Sequence, residues 1–154
     1  MKIIFLIIVI LLTIQFVSCS QKKSNTMIKT NEEWSKILTP EQYKITRLAG
    51  TEYPFTGKYW NHFEMGTYIC VCCKTPLFQS ETKFESHCGW PSFSDVLNKE
   101  TMNFVKDETH GMIRTEVRCK SCDAHLGHVF EDGPAPTGLR YCINSQSIEF
   151  VEAK

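Results

Sequence analysis

The feature that most limits what this 154-residue chain can become is a set of four cysteines arranged two and two. Cys70 and Cys73 lie in "CVCC", Cys119 and Cys122 in "CKSC", and each pair has a two-residue gap. A turn of that length can aim both sulfurs at one point, and two such turns supply the donors of a tetrahedral zinc site. Residues 74 to 118 separate the pairs, a longer spacer than a zinc ribbon uses, so one ion would join distant parts of a domain. Four protein ligands leave no open position for water, so the role expected of this zinc is structural. Two other readings compete. An exported chain could close these thiols into disulfides. A redox Cys-x-x-Cys is the other, but it normally opens a helix in a βαβ unit, a pattern missing here. Cys72 is left to pack as a small apolar residue.

The length allows one domain with a single core. Seventeen basic residues balance seventeen acidic ones, with no block of like charge, so a nucleic-acid partner has no support. A monomer is the default. The first nineteen residues stand apart: Lys2 precedes an apolar run from Ile3 to Val17, broken by Thr13 and Gln15. That run is short for a membrane span and fits the apolar part of a secretion signal. It ends Phe16-Val17-Ser18-Cys19, which resembles a bacterial lipobox, with Phe16 where leucine is preferred. Residues 1–19 are therefore expected to be a lipoprotein signal with Cys19 lipidated, 20–30 a polar tether, and 31–154 the domain. A lipidated amino terminus would hold the protein on a membrane of the bacterial cell envelope, facing the periplasm or the exterior. Simple cleavage, giving a soluble secreted or periplasmic protein, is the alternative.

Two short helices should open the domain. Asn31 precedes "EEWSKIL", whose acids suit the positive end of a helix. In "TPEQYKITRLAG", Thr39 is the cap, Pro40 the first helical residue, Gln42 completes a capping box and Gly50 is the stop. Beyond residue 50 the chain reads as strands and turns. "GMIRTEVRC" alternates, with Ile113, Thr115, Val117 and Cys119 on one face and Arg114, Glu116 and Arg118 on the other. "TYIC", "HVF", "LRYCINS" and "SIEFVE" are further short strands, and "EDGPAPTG" is a loop. The fold class is mainly β and antiparallel.

With one cysteine given to lipid, four to zinc and Cys72 spare, Cys88 and Cys142 remain. Around them lie "SHCGWPSF", "HLGHVFEDG" and "LRYCINS". On a strand, Arg140, Cys142 and Asn144 share a face. A nearby guanidinium favours a thiolate, which is the nucleophilic form. His125 or His128 could give a proton to a leaving oxygen, and Asp132 could orient one of those rings. Trp90 would wall a site for a small alkyl group. Each residue also has a structural reading: a core aromatic, a hydrogen-bonded histidine, a turn aspartate, an arginine at a sheet edge.

"AGTEYPFTGKYW", "CVCCKTPLF", "TKFESHCGWPSF", "HGMIRTEVRC" and "CDAHLGHVFEDGPAPTGLRYCINS" together resemble the B-type methionine-R-sulfoxide reductases, from about Thr39 to Phe150. The resemblance implies two antiparallel sheets, a β-tent, stapled by one structural zinc on Cys70, Cys73, Cys119 and Cys122. It implies reduction of methionine (R)-sulfoxide in oxidised proteins, with Cys142 as nucleophile and Cys88 as resolving cysteine. His125, His128, Asp132, Arg140 and Asn144 map to the catalytic pocket and Trp90 to substrate binding. A thioredoxin or thioredoxin-like dithiol would reduce the 88–142 disulfide. His87 departs from the family, which usually has glycine before the resolving cysteine.

Overall fold

A computed structural model describes residues 29–153. The expected signal, the lipidated Cys19 and nearly all of the tether lie outside those residues. The membrane-anchored location is corrected: among the described residues, no helix is long and apolar enough to cross a membrane.

Helix α1 covers Asn31–Ile37 and α2 covers Pro40–Leu48. The cap of α1 is Thr30, one residue before the expected Asn31. Its hydroxyl accepts from the Glu33 N–H at 3.2 Å while its own N–H donates to the Glu33 carboxylate at 2.7 Å. Asn31 offers no such reciprocal pair, and two satisfied end groups decide the boundary. Thr39 and Gln42 form the expected capping box on α2, with Pro40 first. This helix ends on Ala49 in the left-handed region, φ 52°, rather than on Gly50.

Nine strands follow: β1 Gly66–Cys70, β2 Pro76–Gln79, β3 Lys83–Phe84, β4 Ser92–Phe93, β5 Met102–Asp107, β6 Arg114–Cys119, β7 His125–Phe130, β8 Arg140–Ile143 and β9 Ile148–Glu152. They make two antiparallel sheets, ordered β2-β1-β9 and β3-β4-β8-β7-β6-β5. The sheets meet through aromatics. Phe78 of the small sheet stacks on Phe93 of the large one at 4.4 Å between centroids, and Tyr68 meets Phe93 edge-on at 5.0 Å. Such contacts add about 0.5–1.5 kcal/mol to the area they bury.

The alternation expected over residues 111–119 is half right. Strand β6 begins at Arg114, and Ile113 is 79% exposed outside it. Glu116, on the polar face, is buried because His125 and Arg118 close over its carboxylate.

Candidate active site and metal centre

Two tight turns build the four-cysteine cluster. After the first pair, the Lys74 N–H donates to the Cys70 carbonyl at 2.9 Å; after the second, Asp123 does the same to Cys119 at 2.8 Å. Both residues adopt positive φ, 61° and 57°, so the turns are alike. Cys70 and Cys122 place their sulfurs 3.7 Å apart, Cys73 and Cys119 theirs 3.5 Å apart, and all four lie within 4.8 Å of one another. A disulfide would need about 2.05 Å. A tetrahedral ion bonded to sulfur at about 2.3 Å has edges of about 3.8 Å, which these separations match. The four residues can therefore hold one soft metal ion. Cys72 is buried in the core beside them, as expected.

The other thiol pair sits where a loop meets a strand. Cys142 lies on β8 between two partners, opposite Ser92 of β4 and His128 of β7. Gly127, one residue before His128, lets β7 come this close: a Cβ there would lie 2.1 Å from the Cys142 carbonyl oxygen. Cys88 belongs to the β3–β4 loop, whose path requires positive φ at His87 (57°) and Gly89 (89°). The Phe55 N–H donates to the Gly89 carbonyl at 2.8 Å and fixes that loop. The two sulfurs are 3.8 Å apart. The two thiols share one hydrogen bond. The hydrogen bond from Cys142 outweighs burial and brings Cys88 down to about 4, helped by the Ser86 and Ser92 hydroxyls at 3.0 and 3.5 Å. That bond and burial push Cys142 up, while Arg140 pulls it down.

A cavity of about 130 Å³ opens on Cys142, with Trp90, His128, Phe130 and Asn144 among its walls. Cys88 does not line it. The Trp90 indole is aimed by its Nε1–H, which donates to the Glu52 carbonyl at 3.1 Å. Asn144 is held at both ends of its amide, which donates to the Leu126 carbonyl at 3.1 Å and accepts from the Glu52 N–H at 3.1 Å. Glu52 also accepts the Ser145 and Gln146 N–H groups at 2.6 and 3.0 Å, capping the turn that follows β8. Burial pushes its carboxyl up against those two bonds.

Each histidine has its own acid. His128 Nε2 is 2.7 Å from Asp107, which also takes Arg114 at 2.6 Å. The Thr109 hydroxyl and N–H, then His128, hold that carboxyl well below the usual range. His125 Nδ1 is 2.6 Å from Glu116, itself paired with Arg118 at 2.9 Å. Burial pushes His125 down, against the pull of Glu116. Its Nε2 has no hydrogen-bond partner among the described residues. The rings lie 5.6 Å apart, but only His128 lines the cavity.

Asp132 does not orient either ring. It forms a two-point pair with Arg140, 2.8 Å on each arm, because Arg140 lies opposite Phe130 in the β7–β8 register and reaches the residues just after it. Asp107, Glu116 and Glu52, which do organise the site, were not singled out by the sequence. Only the polar alternation of "RTEVRC" hints at one of them. The structure thus gathers Cys142, Cys88, His128, Trp90 and Asn144, sets His125 behind them, and places Arg140 beside Cys142 with Asp132 as its anchor.

The SelR domain model matches residues 38–152. A peptide methionine sulfoxide reductase MsrB from Herminiimonas arsenicoxydans is 60% identical over 124 residues, 80% of this chain and 90% of the relative. That of Pseudomonas putida (strain W619) is 62% identical over 122 residues, covering 79% and 92%. One from Acinetobacter baumannii is 58% identical over 121 residues, covering 79% and 87%. With its paired thiols beside a small walled cavity, and a match across nearly all of the described domain, this chain belongs to the SelR-domain family of MsrB-type peptide methionine sulfoxide reductases.

Proposed function

We propose that Cys142 is the attacking thiol and Cys88 the resolving one in the reaction of this family. The protein is an oxidoreductase that returns methionine (R)-sulfoxide to methionine by thiol–disulfide chemistry. The observation that carries the division of labour is that Cys142 lines the cavity with Trp90 and His128 while Cys88 stands behind it at 3.8 Å.

The sulfoxide methyl group rests against Trp90. Proton transfer across the shared hydrogen bond leaves a thiolate on Cys142, which Arg140 stabilises. Cys142 sulfur attacks the sulfoxide sulfur, and His128, held by Asp107, protonates the oxygen. The hydroxyl then passes from the substrate sulfur to Cys142 sulfur as the new sulfur–sulfur bond breaks, its electron pair going to the substrate. Methionine therefore leaves reduced, and Cys142 is left oxidised as a sulfenic acid. Cys88 sulfur then attacks Cys142 sulfur, the hydroxyl departs and takes a proton to become water, and the 88–142 disulfide remains. A thioredoxin-like dithiol restores both thiols by exchange and leaves as its own disulfide. The substrates are oxidised proteins.

Zinc is the ion we assign to Cys70, Cys73, Cys119 and Cys122. It would hold the two turns together and supply no chemistry at Cys142, because four sulfurs fill its coordination. The test of the whole reading is reductase assay on separated R and S sulfoxides with wild type and Cys142→Ser. Wild type should reduce the R form alone, and the variant should fall by about 10³-fold or more. R-sulfoxide turnover that survives in Cys142→Ser would falsify the assignment.

A further inference from the structure

Glu52 is a buried carboxylate, 8% exposed, that forms no salt bridge among the described residues. Burying such a group is costly unless its lone pairs are met. They are met by the Ser145 and Gln146 N–H groups, at 2.6 and 3.0 Å, where the chain turns after β8. The same residue carries two walls of the sulfoxide cavity on its main chain. Its carbonyl accepts the Trp90 Nε1–H and its N–H donates to the Asn144 side chain, each at 3.1 Å. Thr51, its neighbour, lines that cavity with Trp90, Asn144 and Cys142.

The residues after Glu52 bind the same two elements. The Phe55 N–H donates to the Gly89 carbonyl at 2.8 Å, in the loop that carries Cys88. The Tyr59 N–H donates to the Ser145 hydroxyl at 3.1 Å, back at the turn after β8. Between them Gly57 packs so closely that a Cβ there would collide with Glu52 Oε1 and Ser145 Oγ. Residues 51–59 therefore form a strap from the Cys88 loop to the end of the strand that bears Cys142. Glu52 is the point where the strap meets Trp90, Asn144 and the β8 turn together.

We propose that Glu52 is a positioning residue that sets the width of the methyl site: its carboxylate anchors the strap to the β8 turn, and the anchored main chain fixes where the Trp90 indole stands relative to Asn144 and Cys142. This rests on the reaction proposed above and adds to it what decides how large an alkyl group the sulfoxide can carry. Released from Ser145 and Gln146, the strap shifts and Trp90 shifts with it. The wall then fits a methyl group less closely and excludes an ethyl group less well. A residue that served stability alone would change the melt and leave the preference of each folded molecule as it was.

The experiment compares kcat/KM for the N-acetyl amides of methionine (R)-sulfoxide and ethionine (R)-sulfoxide, with a circular dichroism melt beside each assay. One methylene in a fitted apolar site is worth roughly 10–200-fold, so wild type should prefer the methyl substrate by about tenfold or more. Glu52→Gln keeps one acceptor but turns an amide donor toward the other N–H, and should cut that preference about threefold. Glu52→Ala removes both acceptors and should leave a preference of about threefold or less. Trp90→Phe removes the N–H through which the strap acts, so adding Glu52→Gln to it should change the preference by less than about 1.5-fold. A wild-type preference near one, an unchanged preference in Glu52→Gln, or full additivity with Trp90→Phe would overturn the proposal, whatever the melts show. Glu52→Gln is close in size to the native residue and carries the test if Glu52→Ala does not fold. Wild-type protein inactive on the methionine substrate would instead count against the reaction itself.

Discussion

The molecule brings sulfurs together in two places at nearly the same spacing, 3.5–3.7 Å in the cluster and 3.8 Å in the Cys88–Cys142 pair. Distance does not separate a metal centre from a redox centre; surroundings do. The cluster is made by two matching turns whose backbone bonds fix every donor, and three of its four residues are buried. The pair is made by one strand and one loop, opens on a cavity, and has Arg140 and two serine hydroxyls beside it. Four rigid donors suit an ion that stays. Two thiols, one on a strand open to a cavity and one on a loop, suit a bond that forms and breaks.

The largest test of this contrast strikes the cluster. Cys119→Ser should abolish metal binding and cost several kcal/mol, roughly 10 °C or more in Tm, since structural metal binding is coupled to folding. A full melt at the wild-type temperature would show that the turns need no ion. Cys88→Ser tests the other side. Its first turnover should survive, while recycling by a thioredoxin-like donor falls about a hundredfold. The pH profile of that single turnover carries a sign. In the pair Cys88, held down to about 4, ionises first, and transfer across the shared bond gives the Cys142 thiolate without a second ionisation. In Cys88→Ser, Cys142 must ionise by itself, so the alkaline requirement of the first turnover should move to higher pH. A shift in the opposite direction would contradict transfer across the shared bond.

A smaller effect should separate the two histidines. Asp107→Asn should lower kcat about tenfold with little change in KM, because Asp107 holds the ring that lines the cavity. Glu116→Gln, behind the cavity, should act on stability more than on kcat. Equal losses of kcat would mean that both rings take part in proton transfer. The smallest effect falls on the loop. His87 pays for a positive φ that glycine adopts freely, so His87→Gly should gain up to about 1 kcal/mol and change disulfide formation only modestly. Stopped-flow fluorescence of Trp90 beside a denaturant melt would measure both.

How much of this could be read from the sequence depends on how local each cause is. The capping box of α2 and the sulfurs of each Cys-x-x-Cys turn are set within a few residues, and both were legible. Strands β3 and β4 are two residues each, too short to show a period, yet β4 places Ser92 against Cys142. The acids behind the histidines come through strand pairing. Glu116 faces His125 only because β6 and β7 pair with a register shift after Val117, and Asp107 reaches His128 from two strands away. Asp132 looked the better partner because it is near the histidines along the chain. In space Arg140 is nearer, and a bidentate bond to a guanidinium takes it. Thr30 rather than Asn31 caps α1 because the reciprocal bond to Glu33 fits only the earlier residue.

One consequence concerns where the cluster ties the chain. Joining residues 70–73 to 119–122 closes the stretch between them into a loop, and Cys88 lies inside that loop while Cys142 lies outside it. An ion held there would shorten the distance the β3–β4 segment can wander when its contacts open. In polymer terms it would raise the effective concentration of the Cys88 thiol at Cys142, a contribution that grows with the length of chain held. An ion with no part in the chemistry can in this way set the rate at which the sulfenic acid is captured before another oxidant reaches it.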